Sequence, residues 1–182
     1  MVAIFGTMVA DAIHVALGMP YLTSTAGFAV VLGIIFAAWY GSEKTLSIQQ
    51  INTARRECFY WATVMVTFAL GTAAGDMTAS TLGLGYFTSG LLFAVLFALP
   101  ALVYWRSGGI AVGAFWLAYI LTRPLGASFA DWLGKARELG GVGIGTGPIS
   151  LVLAMFIVSF VAYLTNFSKD SHVTGAAKPQ AK

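Results

Sequence analysis

Six long apolar runs, with few charges inside them, decide what this chain can fold into. They are Val2–Gly18, Tyr21–Gly41, Cys58–Ser80, Leu84–Trp105, Ile110–Gly134 and Ile149–Phe167. A helix needs about 20 mostly apolar residues to cross about 30 Å of hydrocarbon. A barrel strand would alternate apolar and polar residues, and these runs are continuous, so each is expected to be a helix. Composition agrees. The chain is 58% hydrophobic and 9% charged, against about 45–50% and about 25% in soluble domains. A water-soluble surface cannot be made from so few charges, and disordered chains are polar. The expected fold is all-α, an integral membrane helical bundle of six transmembrane helices embedded in the lipid bilayer.

The connections give a direction. Lys44, Arg55, Arg56, Arg106, Lys169, Lys178 and Lys182 fall on one side of such a bundle, and only Lys135 and Arg137 on the other. The positive-inside rule puts the first group, and both termini, in the cytoplasm. Trp39, Trp61, Trp105 and Trp116 all fall at that side and read as an interfacial aromatic belt. No basic face forms, so nucleic acid is not an expected partner. The start, Met1-Val2-Ala3-Ile4, has no basic residue before its apolar run and does not read as a cleavable signal. Residues 1–168 form the transmembrane domain and 169–182 a polar tail, expected to be disordered.

The chain repeats itself. At an offset of 65, Gly6, Thr7, Asp11, Leu17, Gly18, Tyr21 and Ser24 align with Gly71, Thr72, Asp76, Leu82, Gly83, Tyr86 and Ser89. At an offset of 55, Trp61, Thr67, Gly71 and Asp76 align with Trp116, Thr122, Gly126 and Asp131. Apolar bias can produce matches of Ala, Val or Leu, but not of Asp, Tyr and Gly in register. The copies span approximately 1–41, 58–106 and 110–168. A two-helix unit returns the chain to its starting side, so the copies share one orientation about the membrane normal, as in parallel-repeat transporters. The first copy lacks the Trp expected ten residues before Gly6. A shortened chain, or a true start upstream, is expected.

Gly71–Leu82, Thr122–Leu133 and the Tyr/Ser/Phe helix after each resemble a family of bacterial membrane-anchored proteins, built from a repeat of unknown function of roughly fifty residues. The resemblance covers nearly everything before the tail and implies a bacterial inner-membrane location. It implies no activity. Its members typically carry four repeats, and this chain has three, the first without its start.

Chemistry therefore has to be read from the residues. Asp11, Asp76 and Asp131 recur at one position on three helices and can form a carboxylate ring around a shared axis, suited to an inorganic cation. They sit late in outward-running helices, where a solvated helix end is the plain alternative. Thr7 and Thr72 lie four residues before their aspartates, on the same face, where they can orient the carboxylate or bond their own backbone. Arg123, beside the helix-breaking Pro124, sits mid-span and needs a partner. Asp131, Asp11 and Asp76 are its candidates, with snorkelling the alternative. His14, three residues after Asp11, can add a metal ligand or simply pack as a hydrogen-bonded ring.

Tyr21, Tyr86, Ser24 and Ser89 read as anchoring and close packing. The run Gly140–Gly147 lacks the strand and the Lys-Ser/Thr of a phosphate loop and reads as a flexible outer hairpin. No Ser/His/Asp, Cys/His or HExxH arrangement occurs, so an enzyme is not expected, and neither is a cofactor. The single Cys58 excludes an internal disulfide. The expected function is transport or conduction of a small cation, with a divalent metal one candidate. The alternative is a membrane scaffold or accessory subunit. With its first helix short, the chain is expected to need another copy of itself, as a homo-oligomer, or to be inactive.

Overall fold

The computed structural model describes residues 2–107 and 111–175. Among them are six α-helices: α1 (Val2–Leu17), α2 (Tyr21–Glu43), α3 (Ala54–Asp76), α4 (Gly85–Ser107), α5 (Ala111–Gly134) and α6 (Thr146–Gly175). Four are long and apolar enough to cross a membrane, over Tyr21–Glu43, Ala54–Thr81, Gly85–Arg106 and Thr146–Thr165, and Ile4–Leu17 is a shorter apolar helix. The protein is an all-α membrane bundle. α5 has the length to span, but it carries Arg123, Ser128 and Asp131. It can carry them because it packs between α3 and α4 and turns its polar residues inward.

Helix ends follow local chemistry. Gly18 at φ +60° and Gly83 at φ +67° stand where α1 and the α3 unit turn back into α2 and α4. These are left-handed positions that only glycine occupies at little cost. Thr53 caps α3 by accepting from the Arg56 amide at 3.3 Å. Between α2 and α3, Glu43 takes the Arg56 guanidinium at 2.7 Å, so this arginine clamps a loop besides any role in orientation. α6 continues past Phe167 to Gly175, into the stretch expected to be a disordered tail. No Gly or Pro lies between Pro148 and Gly175 to stop it. Lys178 and Lys182 lie outside the described residues, as do Gly108, Gly109 and Ile110.

The packing repeats as the sequence does. α1 lies on α3 and α3 on α5, while α2 lies on α3 and α4 on α5. α2 and α4 therefore each pack chiefly against the odd helix that follows. Ser24 and Ser89, equivalent by the offset of 65, are both buried in these contacts. Small side chains there let backbones approach, which is how membrane helices associate when lipid removes the hydrophobic drive.

The expected aromatic belt divides in two. Trp61 and Trp105 are exposed, but Trp39 and Trp116 are buried at 1% and 4%. They meet edge to face with ring centres 5.7 Å apart, and Phe36, Phe59 and Tyr60 pack around them. Trp116 also donates its indole N–H to the Leu46 carbonyl at 2.9 Å. Both rings point at a neighbouring repeat, which makes them core. Trp116→Phe should lose about 1 kcal/mol for that hydrogen bond, and Trp116→Ala about 3–5 kcal/mol. Thermal unfolding in detergent would check the ranking; equal melting of the two variants would contradict it.

Candidate functional site

One cavity of about 540 Å³ lies among α1, α3 and α5. It is lined by Thr7, Asp11, Thr72, Asp76, Arg123 and Asp131, together with Lys135. The repeat fixes this convergence. Residues at one repeat position share one depth and one face, so three parallel odd helices aim them at one space. α3 ends its regular turns at Asp76 and passes into a π-helical turn, Met77–Thr81. The Thr78 hydroxyl holds that turn by donating to the carbonyls of Ala74 and Gly75. Such turns are frequent at functional sites in helices.

The partner of the carboxylates is a residue the sequence reading used only for orientation. Lys135 Nζ lies 3.1 Å from Asp131 Oδ2 and 3.8 Å from Asp76 Oδ1. It donates to the Tyr86 hydroxyl at 2.7 Å and sits 4.2 Å from the centre of that ring. Tyr86, read from the sequence as an interfacial anchor, is therefore also a lysine partner at this cavity. The signal for the first contact was present, since Asp131 and Lys135 are four residues apart. The contacts to Asp76 and Tyr86 cross between helices and had no local signal.

Lys135 lies just past α5. Burial alone would lower its pKa. The hydrogen bond to Tyr86 and the charges of Asp131 and Asp76 outweigh burial and push it above the ordinary lysine value. A lysine pKa raised by folding adds stability that is complete below the unfolded value of about 10.4. That stability fades only as pH rises through the folded value. Thermal melting between pH 6 and 9 should then show no step that disappears in Lys135→Met.

The remaining residues depart from expectation in instructive ways. Arg123 has no ion pair among the described residues. Its guanidinium carbon lies 3.9 Å from the Phe68 ring centre and 4.4 Å from that of Tyr119, and its Nε has no hydrogen-bond partner. The cation is held by aromatic faces, not by Asp131, Asp11 or Asp76. Position explains it. Arg123 is two helical turns from Asp131, about 12 Å along the axis, so it sits beneath the acid layer.

Thr72 donates to Thr7 across the helix interface at 3.5 Å, and neither hydroxyl bonds an aspartate among the described residues. Asp11 lines the cavity but is exposed, and it has no salt bridge among the described residues. His14 stands outside the cavity. Its Nδ1 donates to the Met19 carbonyl at 2.6 Å, and its ring stacks on Tyr21 with centres 3.7 Å apart. It closes the α1–α2 turn, as a packing histidine does. Among the described residues no three His, Cys, Asp or Glu side chains group closely enough to hold a metal ion.

The glycine-rich loop after α5 is tied back onto the helix end. Val142, Gly143 and Ile144 return their amides to the carbonyls of Trp132, Lys135 and Leu133 at 2.7, 2.9 and 3.2 Å. These bonds cap the end of α5, so the loop fixes the backbone that carries Lys135. An expected flexible hairpin is instead a clamp beside the site.

The arrangement is a polar cavity with carboxylates at one level, a tethered ammonium among them, and a guanidinium deeper on an aromatic floor. A family model described as Repeat of Unknown Function (DUF347) matches residues 1–45, 59–109 and 114–169. No curated protein and no solved structure matches the chain. The three matched segments cover the three sequence copies and most of the chain, and the protein belongs to the family built from this repeat.

Proposed function

We propose that this protein moves a small cation across the bacterial inner membrane, with both termini cytoplasmic. The observation that carries the reading is Lys135, held between Asp76, Asp131 and Tyr86 in a cavity that Asp11 also lines. An unpaired carboxylate costs about 2.5–3.5 kcal/mol at the centre of a membrane helix on insertion scales, and less toward the helix end where these lie. A tethered ammonium removes most of that cost in the ion-free state. An incoming cation then competes with Lys135 for the same oxygens, and Lys135 can withdraw by rotating its flexible four-carbon side chain on a fixed backbone. A monovalent cation fits this exchange better than a divalent metal, given the absence of a three-ligand group among the described residues.

Cation uptake into proteoliposomes tests the reading. Asp76→Asn should lower uptake about 10- to 100-fold, the worth of a charge-assisted contact. Unsubstituted protein that moves no alkali, ammonium or divalent cation would overturn it. The same ion pairs also favour a second reading, a scaffold or accessory subunit whose charges only lock helices together. A cation-dependent rise in melting temperature that vanishes in Asp76→Asn separates the two, because a structural lock has no use for added ions.

A further inference from the structure

The repeat sets a packing rule, and one end of the chain leaves it unfilled. Gly6 is where α1 meets α3: a Cβ there would lie 2.7 Å from the Met65 carbonyl oxygen and from Phe68 Cβ. Gly71, its equivalent, is where α3 meets α5, and a Cβ there would collide with Arg123 Cβ and crowd the Pro124 backbone. Phe68 and Arg123 are themselves equivalent at the offset of 55. Gly126 is the third glycine of the set, and a Cβ there would meet nothing within 4 Å.

α6 repeats the message. α2 buries Leu32 and Trp39 and α4 buries Phe93 against the next odd helix, whereas in α6 the described side chains from Leu151 onward are exposed. Two independent features, an open glycine on α5 and an even helix with no odd helix after it among the described residues, mark one unfilled helix position beside α5. That position opens into the cavity, because Gly126 is also part of the cavity lining.

The matching face is on α1. Ala69 on α3 is 2% exposed because it receives Gly6, and Pro124 on α5 is buried where it receives Gly71. Their counterpart on α1 is Ile4, which is 63% exposed. α1 is thus the odd helix with a free receiving face, and α5 the one with a free glycine. Within one chain α1 is held on α3, and it shares the cavity with α5 without a packed interface.

We propose that a second copy of this chain completes the cavity, its α1 seated beside α5 with Ile4 against Gly126. Exchanged reciprocally, Ile4 to Gly126 and Gly126 to Ile4, the contacts form one isologous interface that closes a dimer. Each copy's Asp11 and Thr7 then join the other's cavity wall. This rests on helix packing and not on the cation reading, and its test reads no transport.

Two full-length chains with different tags, both carrying Cys58→Ser, are co-expressed, one with Ile4→Cys and the other with Gly126→Cys. Oxidation in native membranes should give a disulfide-linked product of both tags at twice the 19.2 kDa chain mass. Ile4→Cys paired with Gly27→Cys, a position on α2 that is equally open, should give none. Unsubstituted protein in nanodiscs should weigh two copies. A one-copy mass, cross-linking equal at Gly27, or a product that holds one tag and an unrelated protein would each overturn the proposal.

Discussion

Gly71→Ala should destabilise the protein by about 2 kcal/mol, while Gly126→Ala, the same repeat position one copy later, should not destabilise the isolated chain. Two effects oppose each other in both variants. Replacing a helical glycine by alanine gains up to about 1 kcal/mol of helix propensity. Overpacking a filled contact costs about 1–3 kcal/mol, occasionally more. At Gly71 the added carbon meets Arg123 Cβ and the backbone of Arg123 and Pro124. Backbone cannot move aside without shifting α5, so overpacking wins. At Gly126 nothing lies within 4 Å, and only the propensity gain remains. Thermal unfolding in detergent, at a dilution where copies separate, measures both. Equal melting of the two variants would mean that α3 and α5 do not approach through Gly71.

Lys135→Met should raise cation affinity about tenfold and lower uptake. The variant removes the ammonium 3.1 Å from Asp131 and 3.8 Å from Asp76 and leaves the two carboxylates facing one cavity. A charge-assisted contact is worth about 1.5–3 kcal/mol when well shielded. Lys135 is about one-third exposed at 32%, so solvent screening reduces the competition it exerts to about 1.4 kcal/mol, or tenfold. Tighter binding without the built-in competitor leaves the ion harder to release, which is why uptake falls as affinity rises. Isothermal titration and proteoliposome flux on the same preparation separate the two quantities. Weaker binding in Lys135→Met would make this lysine a structural counter-charge and would end the exchange mechanism.

The convergence of the candidate residues was legible before any coordinates. Asp11, Asp76, Asp131, Thr7, Thr72 and Arg123 all line the one cavity. They could be found because a repeat fixes depth and helix face together, and three like-oriented copies must then present equivalent residues to shared space. Their partners were less legible. Asp131 to Lys135 is a contact along one helix, whereas Lys135 to Asp76 and Tyr86 depends on how α3, α4 and the end of α5 are rotated against each other. Arg123 was recognised as a residue that needs company. That the company is Phe68 and Tyr119 rather than a carboxylate follows from the offset in depth between the acid layer and the floor.

By itself the sequence determined the apolar helices, their order, the repeat and the depth of each polar residue, because hydrophobic length and periodicity act along the chain. Tertiary structure alone decided which motif glycine is filled and which is open, which tryptophans are core and which are exposed, and where the one lysine among the carboxylates points. Those outcomes depend on the rotation and separation of neighbouring helices. Equivalent residues such as Gly71 and Gly126 carry identical local instructions and differ only in whether another helix stands beside them.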